Sequence, residues 1–443
     1  MAKQFFLRML SKFCYTIRDM SRFFKKSMDN SQIKTNKSGV FLSVALCWMF
    51  YLFAYVVRVE PSVVAKNLMS DFGITSSVIG ILGSIAYLPY VAMQIPCGVI
   101  TDKLGTKTVV TISCAVCSLG AFLFGSAGSV LQLEISRFLI GLSTAAAFLC
   151  CGKVATEFFD KRKYAMFMGI AMCMGCLGGI AGSAPTAYLV SQFGWRVATY
   201  VIAVFGAILT IVVLLFMKKS SKVQFTSETH ILTGLKIIAK NPKAWLLGFY
   251  GAMTYLPLSA LAELWVVPFM EHRYGVSTAK AAFASIVIFV GFALGSVITA
   301  WVAEKINSYK KTILMFTVGI IIAFSIAIYN DSISYNICLL CLFIGAVSAG
   351  ANNLVFTFAY SFVPPAYGGT STGFTNALVM TSGIMFPPLL GKILDLARDG
   401  QTDAAGAPLY DLGMYRSAFL AVIIGLFLAT ISAFFINDLK HKE

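Results

Sequence analysis

The chain has 443 residues, of which 58% are hydrophobic and 12% charged, and its formal net charge is +16. So apolar a composition excludes an ordinary soluble protein. The basic residues cluster in alternate loops, which favours contact with an anionic membrane leaflet over nucleic-acid binding.

A basic segment interspersed with aromatic residues comes first, at positions 1–38. This pattern predicts a cytoplasmic amphipathic segment at the membrane interface, with an unstructured basic tail as the equal alternative. It lacks the single short apolar core and small-residue cleavage site of a secretory signal. We therefore expect it to stay attached.

Twelve apolar stretches follow, each long enough to cross a bilayer core of about 30 Å as a helix. The predicted spans are 39–66, 78–101, 108–126, 130–158, 164–190, 196–217, 244–270, 278–304, 312–329, 334–363, 368–397 and 414–436. We predict an all-α, multi-pass integral membrane protein with two pseudo-symmetric six-helix bundles, at 39–217 and 244–437. A cytoplasmic linker would occupy 218–243, and a cytoplasmic tail 438–443.

The distribution of positive charge predicts the orientation in the membrane. Of the 35 Lys and Arg residues, nine precede Gly39 and sixteen more fall in loops of the same side, whereas the opposite side holds six. Because positive loops stay in the cytoplasm, both termini are expected there, in the inner membrane if the source is prokaryotic. We expect a monomer.

Eleven cysteines include three pairs spaced one helical turn apart, each within a predicted span. Such pairs could bind a metal or switch redox state, but small residues also let helices in lipid approach closely, and we favour packing. We expect no metal and no cofactor. The pairs are Cys114 with Cys117, Cys173 with Cys176, and Cys338 with Cys341.

The turn after the second span carries the pattern Gly98-x-x-x-Asp102-Lys103-x-Gly105-x-Lys107. The fourth span contains Arg137-x-x-x-Gly141, and the fifth is glycine-rich from Gly175 to Gly182. Together these motifs resemble the major facilitator superfamily over nearly the whole chain after the basic segment. The resemblance implies transport by alternating access and a gating role for Gly98, Asp102, Lys103, Gly105 and Lys107.

Ionisable residues inside the spans are costly, at about 2.5 to 3.5 kcal/mol each on insertion scales, and are therefore candidate site residues. Arg58 stands one turn after Tyr55, and a cation beside an aromatic ring suits an anionic substrate group. The alternative is a structural pair with Glu60 or Glu263. Arg137 is a candidate for substrate contact, for proton coupling or for helix packing.

Glu263 is the only acid well inside the second half. A carboxylate in a low-dielectric interior is easier to protonate, as proton coupling requires. An ion pair between the halves and recognition of a substrate amine remain equal alternatives. Glu60 and Arg137 are further candidates for coupling. The three histidines fall in predicted loops or at the terminus.

Neutral polar residues share faces of the spans and could line the site. They are Tyr87, Tyr90 and Gln94 in the second span, and Asn352, Asn353 and Asn376 in the tenth and eleventh. Each could instead form an interhelical hydrogen bond. For Lys153 with Glu157, and for Lys392 with Asp395, the spacing favours surface ion pairs.

These observations predict a secondary active transporter of a small polar organic solute, coupled to protons. The solute would be a carboxylate-bearing metabolite, an amino acid or a short peptide. The first span is similar to those of organophosphate and organic-anion facilitators, but the second arginine of organophosphate exchangers is missing from the seventh span. A drug or siderophore exporter and an organic-anion or phosphate-ester exchanger are the alternatives. We find no set of catalytic residues, so an enzyme is not expected.

Overall fold

The computed structural model describes residues 37–158, 161–219, 228–363, 367–398 and 408–438. Twelve of its helices are long and apolar enough to cross a membrane. The predicted all-α class and the twelve predicted spans are therefore confirmed. Residues 1–36 of the predicted amphipathic segment lie outside the described residues, as do parts of the predicted linker and tail.

The spans agree with the predicted ones to within a few residues at most ends. They are Gly39–Phe72, Ser76–Leu104, Thr106–Gly125, Val130–Ala155, Phe167–Phe193, Trp195–Phe216, Pro242–Tyr274, Thr278–Ile306, Tyr309–Tyr329, Tyr335–Ala359, Thr370–Leu396 and Leu412–Phe434. The first span is longer than predicted, because its helix continues past position 66 to Phe72. The predicted linker contains a helix of its own, Glu228–Ala239.

Five spans are built from more than one helix. The second consists of Ser76–Ile85 and Tyr87–Leu104, the fifth of Lys161–Gly182 and Ala184–Phe193, and the eighth of Thr278–Ala281 and Phe283–Ile306. The seventh passes from Pro242–Thr254 through a π-helix, Pro257–Trp265, to Val266–Tyr274. The tenth passes from Tyr335–Ala349 through a 3-10 turn, Gly350–Asn353, to Leu354–Ser361. The other spans are the continuous helices Lys37–Phe72, Thr106–Gly125, Val130–Phe158, Trp195–Phe216, Tyr309–Tyr329, Gly368–Leu396 and Leu412–Phe434.

The halves meet along three pairs of spans: the first with the seventh, the second with the eleventh, and the fifth with the eighth. Among the twelve, the seventh span is the most completely buried. Backbone groups freed at a helix break inside a membrane must find partners within the protein or line a cavity. The interrupted second and seventh spans therefore place such breaks at the contact between the halves.

Equivalent arginines support the pseudo-symmetry of the halves. In the first half, Arg196 at the start of the sixth span donates to the carbonyls of Gly125 and Ala127, at the end of the third. In the second half, Arg416 at the start of the twelfth span donates to the carbonyl of Ile328, at the end of the ninth. Each guanidinium satisfies carbonyls that a helix end leaves without partners.

Candidate functional site

Arg58 lies at the centre of a cluster of tyrosines. Its guanidinium carbon is 4.8 Å from the ring centroid of Tyr55, 4.8 Å from that of Tyr90 and 5.3 Å from that of Tyr87. These are cation–π distances, and the residue is only 8% exposed. None of the described carboxylates forms an ion pair with it. The first and second spans thus hold a buried cation by ring faces and leave its hydrogen-bonding edge available for an anion.

Glu263 enters the same cluster from the other half. Tyr87, whose ring lies against Arg58, donates its hydroxyl hydrogen to Oε2 of Glu263. The second carboxylate oxygen, Oε1, is buried and has no hydrogen-bond partner among the described residues. Glu263 lies in the π-helix that begins at Pro257, and such wide turns are frequent at functional sites.

Arg137 joins the backbone of the first span to that of the interrupted second span. Its Nη1 donates to the Val57 carbonyl at 2.7 Å, and its Nε to the Leu82 carbonyl at 3.1 Å. The Val57 carbonyl needs this donor because the residue four positions on, Pro61, has no N–H. Leu82 precedes the break at Ala86 in the second span. Two of the three predicted roles for Arg137, substrate contact and proton coupling, therefore remain predictions, whereas its helix contacts are explicit.

Glu60 is turned away from the tyrosine cluster, into the first half. It is 1% exposed and accepts a hydrogen bond from the Thr199 hydroxyl of the sixth span. Arg137 is close enough to act on it electrostatically. With both carboxylates ionised, the formal charges of the four buried groups, Arg58, Arg137, Glu60 and Glu263, cancel, and an added anion would then unbalance them.

The predicted amides form bonds between spans. Asn376 donates to Gln94 Oε1 at 3.1 Å, which links the two halves. Asn352 donates to the Gly251 carbonyl at 2.7 Å and to the Thr254 hydroxyl at 2.8 Å, and Asn353 donates to a serine of the eighth span. Their role in substrate contact stays a prediction.

A small cavity, with space for about one water molecule, adjoins the cluster. Arg58, Tyr87, Tyr90 and Arg137 line it together with Ala86, Ile140 and Thr144. Gly141 allows the fourth span to lie against the break in the second, since a methyl group there would meet the Ala86 carbonyl oxygen at 1.9 Å. Arg137 and Gly141 thus shape this wall together.

The turn predicted to act as a gate lies at one end of the protein, which we call the Asp102 end. Gly105 has φ +81° and separates the second span from the third, a conformation that favours glycine. Asp102 forms an ion pair with Lys153 of the fourth span. The predicted partner of Lys153, Glu157, has a side chain outside the described residues. The gating roles of Gly98, Asp102, Lys103, Gly105 and Lys107 remain predictions.

At the opposite end, which we call the Asp395 end, the halves are joined by an unpredicted contact. Asp395 accepts hydrogen bonds from the backbone N–H of Ser76 at 3.2 Å and of Ser77 at 2.8 Å. The hydroxyl of Tyr410 donates to Asp395 at 2.6 Å. Asp395 therefore caps the start of the second span from the eleventh, and the predicted surface pair with Lys392 does not describe its partners.

We expect Asp395→Ala to open this end more often, because the cap supplies polar links between the halves there. The probe is a buried position, substituted Ser76→Cys, and the measurement is its labelling rate with a membrane-impermeant maleimide relative to the protein without that cysteine. Asp411→Ala is the matched control, since Asp411 caps Met414 within one half. Equal labelling rates in Asp395→Ala and Asp411→Ala would contradict the expectation that Asp395 holds the halves together at this end.

Comparison with known proteins agrees with this architecture. The family model described as Major Facilitator Superfamily matches residues 40–388. The probable sulfoacetate transporter SauU of Cupriavidus necator is 31% identical over 175 residues, which are 40% of this chain and 40% of that protein. The probable galactarate/D-glucarate transporter GudP of Bacillus subtilis is 24% identical, covering 77% of this chain and 82% of that one.

Among solved structures, a bacterial homolog to the human lysosomal transporter Spinster, inward-facing and unoccupied, superimposes with a TM-score of 0.75. The sequence identity is 15%, and the match covers 90% of this chain and 97% of the other. At that identity the likeness shows the fold alone. With the family match over most of its length, the chain belongs to the major facilitator superfamily, a family of membrane transporters and not of enzymes.

Proposed function

We propose that the protein is a secondary active transporter that moves a small carboxylate-bearing solute together with a proton, by alternating access. The observation that carries this proposal is Arg58. Its guanidinium is buried, is held in place by three tyrosine rings, and has no carboxylate within ion-pair distance among the described residues, with Glu263 acting on it only electrostatically. Planar guanidinium groups bind carboxylates through two parallel hydrogen bonds.

Charge balance gives the reason for proton coupling. Arg58, Arg137, Glu60 and Glu263 are all buried, and their formal charges cancel. A bound carboxylate would add one uncompensated negative charge in a region of low dielectric, which is unfavourable. A proton on Glu263 would restore neutrality, and its unpartnered Oε1 is available to receive one.

The relatives support an organic anion as the solute. SauU is named for sulfoacetate and GudP for galactarate and D-glucarate, and each of these compounds carries at least one carboxylate. An amino acid is the second candidate, because its ammonium group could bind to the free oxygen of Glu263. A zwitterion adds no net charge, so its transport would not require a proton.

Uptake by purified protein in liposomes, with an internal pH indicator, tests the proposal. A radiolabelled monocarboxylate should accumulate when a pH gradient is imposed, and protons should move with it. Glu263→Gln, which cannot change its charge, should abolish gradient-driven accumulation while exchange of internal for external solute continues.

Glu271→Gln is the matched control, since Glu271 belongs to the same span but lies near the end of that span, away from the site. There its carboxylate accepts a hydrogen bond from the Thr278 hydroxyl. Accumulation that is undiminished in Glu263→Gln would show that the proton travels by another route. Transport of amino acids without proton movement would replace the carboxylate proposal with the zwitterion.

A further inference from the structure

Two buried polar atoms of the seventh span lack a partner beside the Arg58 cluster. They are the hydroxyl of Tyr255 and Oε1 of Glu263, which have no hydrogen bond within the described part of the chain. Tyr255 is 4% exposed and Glu263 is 3% exposed. Buried polar groups are nearly always satisfied, so a pair of unsatisfied ones in a transporter points to a ligand that completes them.

The position of Tyr255 follows from the break in the seventh span. Tyr255 ends the helix Pro242–Thr254, directly before the π-helix that starts at Pro257. Its hydroxyl is close enough to Tyr55, Tyr87, Arg58 and Glu263 to interact electrostatically. The hydroxyl therefore lies near Tyr55 and in the same buried region as Arg58 and Glu263, on the side of the second half.

The surroundings between these groups are aromatic. The ring of Tyr55 lies 6.2 Å from that of Phe289, and the ring of Tyr255 lies 6.2 Å from that of Phe292, both edge-on. Of the nearby amides, Asn352 is bonded to the seventh span and Asn376 to the Gln94 oxygen. A polyhydroxylated solute would find few partners here, whereas an apolar body would be well accommodated.

We infer that Tyr255 is a specificity-determining residue and that the solute is a monocarboxylate with an apolar body and one hydroxyl opposite its carboxylate. This rests on the proposed function, in which Arg58 binds the carboxylate. The solute hydroxyl would bond to the Tyr255 hydroxyl and Glu263 Oε1. A second carboxylate at that end would add a further buried negative charge that the one proton on Glu263 does not balance, which disfavours it.

The test compares pairs of compounds that differ by one hydroxyl: benzoate with 4-hydroxybenzoate, and butyrate with 4-hydroxybutyrate. Glutarate and 4-aminobutyrate represent dicarboxylates and amino acids. Each compound's affinity is measured by its inhibition of the uptake of a radiolabelled monocarboxylate into liposomes. In the unmodified protein we expect the hydroxylated member of at least one pair to bind about tenfold more tightly or better, and glutarate to bind weakly.

Tyr255→Phe removes only the hydroxyl and should erase that preference, so that the two members of each pair bind equally. Tyr250→Phe is the matched control on the same helix, because the Tyr250 hydroxyl is bonded to Thr317 at 2.9 Å, away from the cluster. The melting temperature distinguishes a structural hydroxyl from one that binds the solute. Tyr250→Phe should lower the melting temperature and keep the hydroxyl preference, whereas Tyr255→Phe should not lower the melting temperature.

A hydroxyl preference that survives in Tyr255→Phe would overturn the inference, as would tighter binding of glutarate or 4-aminobutyrate than of any hydroxylated member. In those cases the proposed function, in which Arg58 binds the carboxylate of a transported solute, would still stand. If no carboxylate competes and Arg58→Gln changes nothing, the proposed function fails and the inference fails with it.

Discussion

Arg58→Gln is expected to weaken carboxylate binding by about 30-fold or more. Truncating one partner of a buried, hydrogen-bonded charge pair costs about 2 to 5 kcal/mol, and each 1.4 kcal/mol is about tenfold in affinity. Glutamine removes the charge and the two-pronged guanidinium together, so the loss measures the whole contribution of the guanidinium. Titration of the detergent-solubilised protein with a monocarboxylate, followed by calorimetry, measures it directly.

Arg58→Lys separates charge from shape. Lysine keeps the positive charge but lacks the flat guanidinium that lies against Tyr55, Tyr87 and Tyr90 and that can bond to both carboxylate oxygens. We expect an affinity between those of the unmodified protein and Arg58→Gln. An affinity for carboxylates in Arg58→Gln equal to that of the unmodified protein, at an unchanged melting temperature, would remove Arg58 from the site.

The spans could be predicted because hydrophobic length is a property of continuous sequence. A bilayer core requires about 20 apolar residues per helix, and this requirement places twelve segments without knowledge of how they pack. The end of the first span was harder to predict from the sequence, since Lys66 and Asp71 lie within its helix despite their charge. Trp195 of the sixth span donates to Asp71 at 2.9 Å and thereby supports the extension.

Partners far away in the chain could not be predicted from spacing. Lys392 lies one turn before Asp395, and spacing alone favours that pair, yet Asp395 binds the N–H groups of Ser76 and Ser77 in the other half. In the same way, Asp102 at the end of the second span forms an ion pair with Lys153 of the fourth span. Local periodicity identifies which face a residue occupies but not which helix lies opposite.

Tyr255 illustrates a second limit. In sequence it is one of 18 tyrosines in a chain where aromatic residues make up 14%, and nothing in its neighbours marks it except Pro257. What distinguishes it is a hydroxyl without a partner, which becomes visible only when the surrounding side chains are placed. Arg58 was accessible to prediction because a charge inside a span is costly wherever it lies.

Arg137→Met is expected to have the largest effect on folding of any substitution considered. Breaking a buried charged interaction by removing one partner costs about 3 to 5 kcal/mol, because the remaining groups stay buried without compensation. Here the Val57 and Leu82 carbonyls would lose their donor and Glu60 its neighbouring cation. We expect a markedly lower melting temperature and less monodisperse protein after solubilisation.

Arg137→Lys decides whether this residue also binds the solute. An ammonium group can reach one of the two carbonyls, so we expect a melting temperature between those of Arg137→Met and the unmodified protein. At temperatures below this midpoint, the affinity for carboxylates should be retained. Affinity reduced in Arg137→Lys at an unchanged melting temperature would instead assign Arg137 to the binding site. Because Pro61 is what deprives the Val57 carbonyl of its helical donor, Pro61→Ala should partly restore the stability of Arg137→Met, an outcome that a purely ligand-binding arginine does not predict.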